Sequence, residues 1–180
     1  MNMLAELHKD HINMSKLLAI LEKNIKSTRQ GAAADLPLMA EAIEYIGHYA
    51  DVYHHPLEDI MYTHFAGRSR ELDALMRQCQ EEHRQLHAQT EQVLLPISEI
   101  LLDGIQPLSD ILSALEKFIA TENQHLNFEE AKIFPLIESI ASAEDWEVIA
   151  RKAGFESDTI DEFEANQYAA IYAELAQAAR

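Results

Sequence analysis

The chain has 180 residues, 48% of them hydrophobic and 25% charged, with a formal charge of −17 and a pI near 4.8. That length supports one good hydrophobic core. The acidic balance excludes nucleic acid as a partner, because phosphate neutralisation needs Lys and Arg, and disfavours anionic membrane surfaces. A single cysteine excludes an intramolecular disulfide framework. With a charged N-terminus and no run near 18 apolar residues, the sequence points to a cytoplasmic protein without a membrane span.

Five glycines and five prolines leave few breakers, and no period-two runs rich in Val, Ile and Thr mark a sheet. The first helix is predicted over about 3–28, on the stripe Leu4, Leu7, His11, Met14, Leu18, Leu21, Ile25. Gly31 to Pro37 breaks it, and Pro37 suits the first turn of the next helix. The second helix covers roughly 37–65 with Ile43, Gly47, Ala50, His54, Glu58, Met61 and Phe65 on one face. Pro56 removes the bond to the carbonyl of Val52, so a kink or bulge is expected beside His54 and Glu58. Gly67 ends this helix.

The third helix begins near Ser69 and carries Leu72, Met76, Cys79, His83, His87, Thr90, Leu94 and Ile97, with a late kink expected at Pro96. Ser109 is the expected cap of the fourth, which reads Leu115, Phe118, Glu122, His125, Glu129, Ile133, Leu136, Ile140. These elements predict an all-α fold: an antiparallel up-down four-helix bundle over 1–142, with one or two C-terminal accessory helices over 143–180 packed on the same domain.

The stripes are interrupted by groups that are costly to desolvate alone. His54 and Glu58, His83 and His87, and His125 and Glu129 are i, i+4 pairs, about 40° apart on a helix, and His11 stands singly on the first helix. A weak repeat runs through them. Asp10-His11 resembles Glu82-His83, and each is followed by a His-x-x-x-Glu, at His54 and at His125. Such a set is too nitrogen-rich for calcium or magnesium and lacks the thiolates of structural zinc. It suits iron or manganese. Two ions bridged by Glu58 and Glu129 leave five histidines divided three and two, and so one open position for a diatomic molecule.

The motifs Lys9-Asp-His11, His54-His55-Pro-Leu-Glu58-Asp59, His83-x-x-x-His87 and His125-Leu-Asn-Phe-Glu129-Glu130-Ala-Lys-Ile-Phe-Pro135 resemble those of the hemerythrin-like (HHE cation-binding) family, in the family's order. The resemblance implies a non-haem diiron centre, two carboxylate-bridged irons that bind dioxygen reversibly or react with nitric oxide or peroxide. Carried onto this chain, the ligands are His11, His54, Glu58, His83, His87, His125 and Glu129. Both Glu129 and Glu130 stand where the family places its last carboxylate. Helix geometry and the match to His54-Glu58 favour Glu129.

His8, His48, His55 and His64 fall off the stripes and read as surface or supporting groups. Glu122 could orient His125, and Cys79 reads as a small core residue more readily than as a reactive thiol. A ferritin-like site is the closest structural rival, through Asp51-x-x-His54 and Glu122-x-x-His125, but helices one and three offer histidines where it needs glutamates. The leading expectation is dioxygen binding, sensing or scavenging. Nitric oxide or peroxide detoxification and iron donation for metal-centre repair stand as alternatives, and no protein partner is evident.

Overall fold

The computed structural model describes residues 3–154 and 159–178, with side chains for 3–154 and 168–177. Every regular element among them is helical: α1 (Met3–Arg29), α2 (Leu36–Tyr49), α3 (His55–Phe65), α4 (Arg70–Leu101), α5 (Leu108–Phe128), α6 (Phe134–Ile140), α7 (Ala143–Lys152) and α8 (Thr159–Ala178). Two π turns, Ala50–His54 and Glu129–Ile133, join α2 to α3 and α5 to α6 into long continuous runs. No described helix is long and apolar enough to cross a membrane.

The boundaries follow local chemistry. Asp35 caps α2 by accepting from the Leu38 amide at 3.2 Å, with Pro37 in the first turn, and Ser69 caps α4 through the Leu72 amide. Gly31 and Gly67 take the positive φ values, 103° and 82°, that end the preceding helices. One expectation needs correction: Pro107, not Ser109, occupies the cap of α5. α4 carries Pro96 inside it and runs on to Leu101.

Each π turn has the same cause. Pro56 and Pro135 lack an amide hydrogen and crowd the carbonyl four residues back, so the preceding residue shifts its bond one step further. His55 donates to the Ala50 carbonyl and Phe134 to the Glu129 carbonyl. The wider turn also keeps the buried face in line. Ile46, Ala50, His54 and Glu58 are all buried at successive four-residue steps, as are His125, Glu129, Ile133 and Ile137. Three such steps drift about 120° around an ideal α-helix, and the π turn absorbs that drift.

Two apolar clusters lie on either side of a polar layer. One gathers Leu17, Leu18, Leu21, Ile43, Ile46, Val93, Ile97, Leu115 and Phe118; the other gathers Leu4, Leu7, Met61, Phe65, Leu72, Met76, Ile133 and Ile137. Each fully buried side chain of this kind contributes about 1.5–3 kcal/mol, which offsets the cost of a polar layer between them. The C-terminal helices cover opposite clusters. α7 inserts Ile149 and rests Trp146 against Phe65 with ring centroids 5.9 Å apart, while α8 contributes Ile171 and Leu175 to the first cluster.

Candidate metal centre

The polar layer is assembled from four helical runs. α1 supplies His11, the first π turn His54, α3 Glu58, α4 Cys79 and His83, α5 His125, and the second π turn Glu129; all are buried. His11 Nε2 lies 2.9 Å from His54 Nε2 and 3.2 Å from Glu129 Oε2. Glu58 directs Oε1 to His54 Nε2 at 3.3 Å and Oε2 to His83 Nε2 at 3.4 Å. Glu129 Oε2 is 3.6 Å from His125 Nε2, and its Oε1 is 3.6 Å from His83 Nε2. Tyr62 donates to Glu129 Oε1 at 2.9 Å, and the Cys79 thiol donates to the same oxygen at 2.7 Å.

Three of the imidazoles are oriented from behind by a carboxylate on Nδ1: His11 by Glu130 at 2.8 Å, His54 by Asp10 at 3.3 Å and His125 by Glu82 at 3.1 Å. The sequence repeat acquires a physical meaning here. In each half, the acid before the early histidine (Asp10, Glu82) grips the late histidine (His54, His125). Tyr49 and Gln78 in turn hold Asp10 and Glu82, both at 2.8 Å. A histidine that donates through Nδ1 presents a bare Nε2 lone pair, the form a metal ligates.

The layer therefore carries an excess of acceptors. Both oxygens of Glu58, Oε2 of Glu129 and Nε2 of His125 are fully buried without a hydrogen-bond partner. Each such orphan costs about 1–3 kcal/mol. The Nε2 atoms of His11 and His54, with Nδ1 of each committed to a carboxylate, face one another and need a proton or a cation between them. In the metal-free protein protons serve. Burial opposes charge on His54, yet Glu58 and Asp10 outweigh it and hold the imidazolium up to about 10. Against the same opposition, Glu129 and Glu130 raise His11, and Glu129 and Glu58 raise His83. Burial, reinforced by Glu129, pushes the Glu58 carboxyl up, while His11 and His83 hold Glu129 down despite its burial.

Donors gather into groups whose ligand atoms lie within 4.8 Å of one another: His11, His54, Glu58 and Glu129; Cys79, His83, His125 and Glu129; and His55, Glu58 and His83. Imidazole and carboxylate in this proportion fit iron or manganese rather than an all-oxygen cation. The model of the hemerythrin HHE cation-binding domain matches residues 2–137. The chain belongs to that family. No curated protein and no solved structure matches it.

Within this HHE domain the structure brings together six of the seven residues singled out by sequence: His11, His54, Glu58, His83, His125 and Glu129. It does not bring in His87. After His83 the buried face of α4 steps by three residues to Leu86 and then to Thr90, which turns His87 outward. Its side chain is 59% exposed and pairs with Asp51 at 2.6 Å. Glu130 sits behind His11 rather than among the orphaned acceptors. Glu82, not Glu122, orients His125. Glu122 is buried nearby, with its carboxyl pushed up to about 7 by burial.

Three neighbours outside the expected ligand set join the layer. His55 is buried and stacks on His83 with centroids 3.7 Å apart; burial and His83 bring its pKa down to about 2, so it is a neutral ring. Tyr62 and Cys79 meet at Glu129. The signal for both was available, since Tyr62 lies four residues after Glu58 and Cys79 four before His83. A cavity of about 350 Å³ lined by Asp51, His55, Asp59, His83 and Arg84 opens the layer to solvent.

Proposed function

We propose that this protein holds two non-haem irons, bridged by Glu58 and Glu129, and binds a diatomic ligand there, dioxygen foremost. The observation that carries this reading is the double-facing of both carboxylates. Glu58 meets His54 with one oxygen and His83 with the other, and Glu129 meets both His11 and His125 through Oε2. A bridge must span two half-sites in this way. The proposed ligands are His11 and His54 for one ion and His83 and His125 for the other, with the two glutamates shared. The same reading takes the four helical runs as antiparallel, given the short connections at 30–35, 66–69 and 102–107.

Bound iron would supply the electrons that hold dioxygen. This chain's own residues do the rest. Asp10, Glu82 and Glu130 fix which imidazole nitrogen faces inward, and Phe134 stacks on His11 with ring centroids 5.3 Å apart. The cavity beside His55 and His83 is the proposed entry for a small ligand.

A second reading, turnover of peroxide or nitric oxide, draws support from the outward His87. Two imidazoles on each ion leave open positions on both, where a three-and-two division leaves one. The test is metal content together with the visible spectrum, taken reduced without oxygen and again after admitting air. Two irons per chain and a charge-transfer band that fades when oxygen is removed support dioxygen binding. Two irons that oxidise at once without such a band favour turnover, and a chain that takes up no iron refutes both.

A further inference from the structure

We propose that Cys79 is a metal ligand, a thiolate donor to the ion held by His83, His125 and Glu129, so that one half of the centre carries a sulfur and the other does not. The inference rests on the two-metal reading above and goes beyond it in the donor set.

Cys79 is fully buried on α4, one turn before His83 and on the same face. Its Sγ lies 3.3 Å from His83 Nε2 and 2.7 Å from Glu129 Oε1. Two further atoms of that group, His125 Nε2 and Glu129 Oε2, are buried without a hydrogen-bond partner, on residues only 3% and 0% exposed. A sulfur, two imidazole nitrogens and a carboxylate, mutually within 4.8 Å, have the composition and spacing of a four-donor site.

Packing alone does not explain a cysteine there. Counting back from His83 to His11 through the internal repeat places Leu7 at the equivalent point, one turn before His11 and fully buried. Hydrocarbon fills that position in the first half without difficulty. In the second half the position faces a carboxylate, an imidazole and the Tyr62 hydroxyl, which is 3.6 Å from the sulfur. A thiol among such groups is placed for coordination more than for core filling.

Coordination replaces the S–H bond with a metal–sulfur bond and releases one proton, with no change of oxidation state. The Tyr62 hydroxyl, which donates to Glu129 Oε1, is then within reach of the thiolate and positions it. A soft sulfur donor favours zinc, cobalt or iron over magnesium, calcium or manganese.

The experiment is anaerobic titration of the full chain with cobalt(II), following the near-ultraviolet sulfur-to-cobalt band, with X-ray absorption on the loaded protein. The expected result is two cobalts per chain, a sulfur scatterer at about 2.3 Å, and a band whose intensity corresponds to one thiolate per two metals. Cys79→Ser and Cys79→Ala should lose the band and the scatterer while still binding cobalt through imidazole and carboxylate, and Tyr62→Phe should keep the band at a shifted wavelength. The absorption measurement needs no variant, so misfolding of a substituted chain leaves the test intact. Two cobalts bound with no sulfur in the first shell would overturn the inference and leave the two-metal reading standing. No cobalt and no iron bound would overturn both.

Discussion

Replacing Gly47 with alanine tests how closely α2 and α4 must approach to hold the centre. A Cβ at Gly47 would lie 2.8 Å from Thr90 Cγ2 and 3.2 Å from Thr90 Oγ1. Thr90 cannot swing aside freely. It is β-branched and buried, and its hydroxyl donates to the Leu86 carbonyl at 3.1 Å. Overpacking of this kind costs about 1–3 kcal/mol, against which alanine gains about 1 kcal/mol of helix propensity. The net expectation is a loss of about 1 kcal/mol, or a melting temperature lower by about 2–4 °C for a chain of this size. Circular dichroism of the metal-free protein reads it. The second arm is the Thr90→Ser background, which removes Cγ2 and keeps the hydroxyl. There Gly47→Ala should cost clearly less, since the 2.8 Å contact with Cγ2 is gone and only the 3.2 Å approach to the hydroxyl oxygen remains. Gly47 precedes His54 by seven residues and Thr90 follows His83 by seven, so the same wedge should also weaken metal binding. A Gly47→Ala protein as stable as the parent, or equally destabilised in both backgrounds, refutes the reasoning.

Alanine at Asp10 or Glu82 should each weaken metal binding by about 10–100-fold, as measured by chelator competition, because each frees the Nδ1 of one late histidine. The two losses should multiply, and a double variant no weaker than either single one would argue against independent half-sites. His87→Ala should keep full metal stoichiometry while His83→Ala loses metal; loss of a metal equivalent from His87→Ala would return that residue to the ligand set. Asp145 ties α7 down through Arg68, His64 and the Ser142 cap, and the Arg68 guanidinium foremost holds its carboxyl well below the usual range. A depressed carboxylate stabilises the fold above its unfolded pKa, and the effect fades as acid protonates it. Asp145→Asn should therefore lower the melting temperature at pH 7 by about 2–4 °C, or about 1 kcal/mol, with the gap to the parent narrowing below about pH 4. A gap that is constant from pH 7 to pH 3 would show that charge is not its source.

The helical stripes were legible because His11, His54, Glu58, His83, His125 and Glu129 each replace an apolar residue in an otherwise regular run. The π turn beside His54 was foreshadowed by Pro56. Its twin at Glu129–Ile133 was not, because Pro135 sits where a helix could simply end. The spacing held a clue that periodicity counting overlooks: three successive four-residue steps cannot stay on one face of a straight α-helix. The same drift turns His87, expected inside, out to solvent. An i, i+4 pair shares a face only while the buried stripe keeps stepping by four, and on α4 it steps to Leu86. The supporting carboxylates depend on contacts between residues 43, 44 and 119 apart in sequence, which only the folded arrangement brings together.

The pairing of Asp10 with His54 and of Glu82 with His125 has a kinetic side. Both bonds lie inside one half of the repeat, whereas His11 with Glu129 and His83 with Glu58 join the two halves. Each half can thus preset the orientation of its own late histidine before the halves meet. A cation bound between them acts as a clasp on two ready-made jaws. Its residence time is then governed by how often the jaws part, so a chelator should strip the metal at a rate that saturates with chelator concentration.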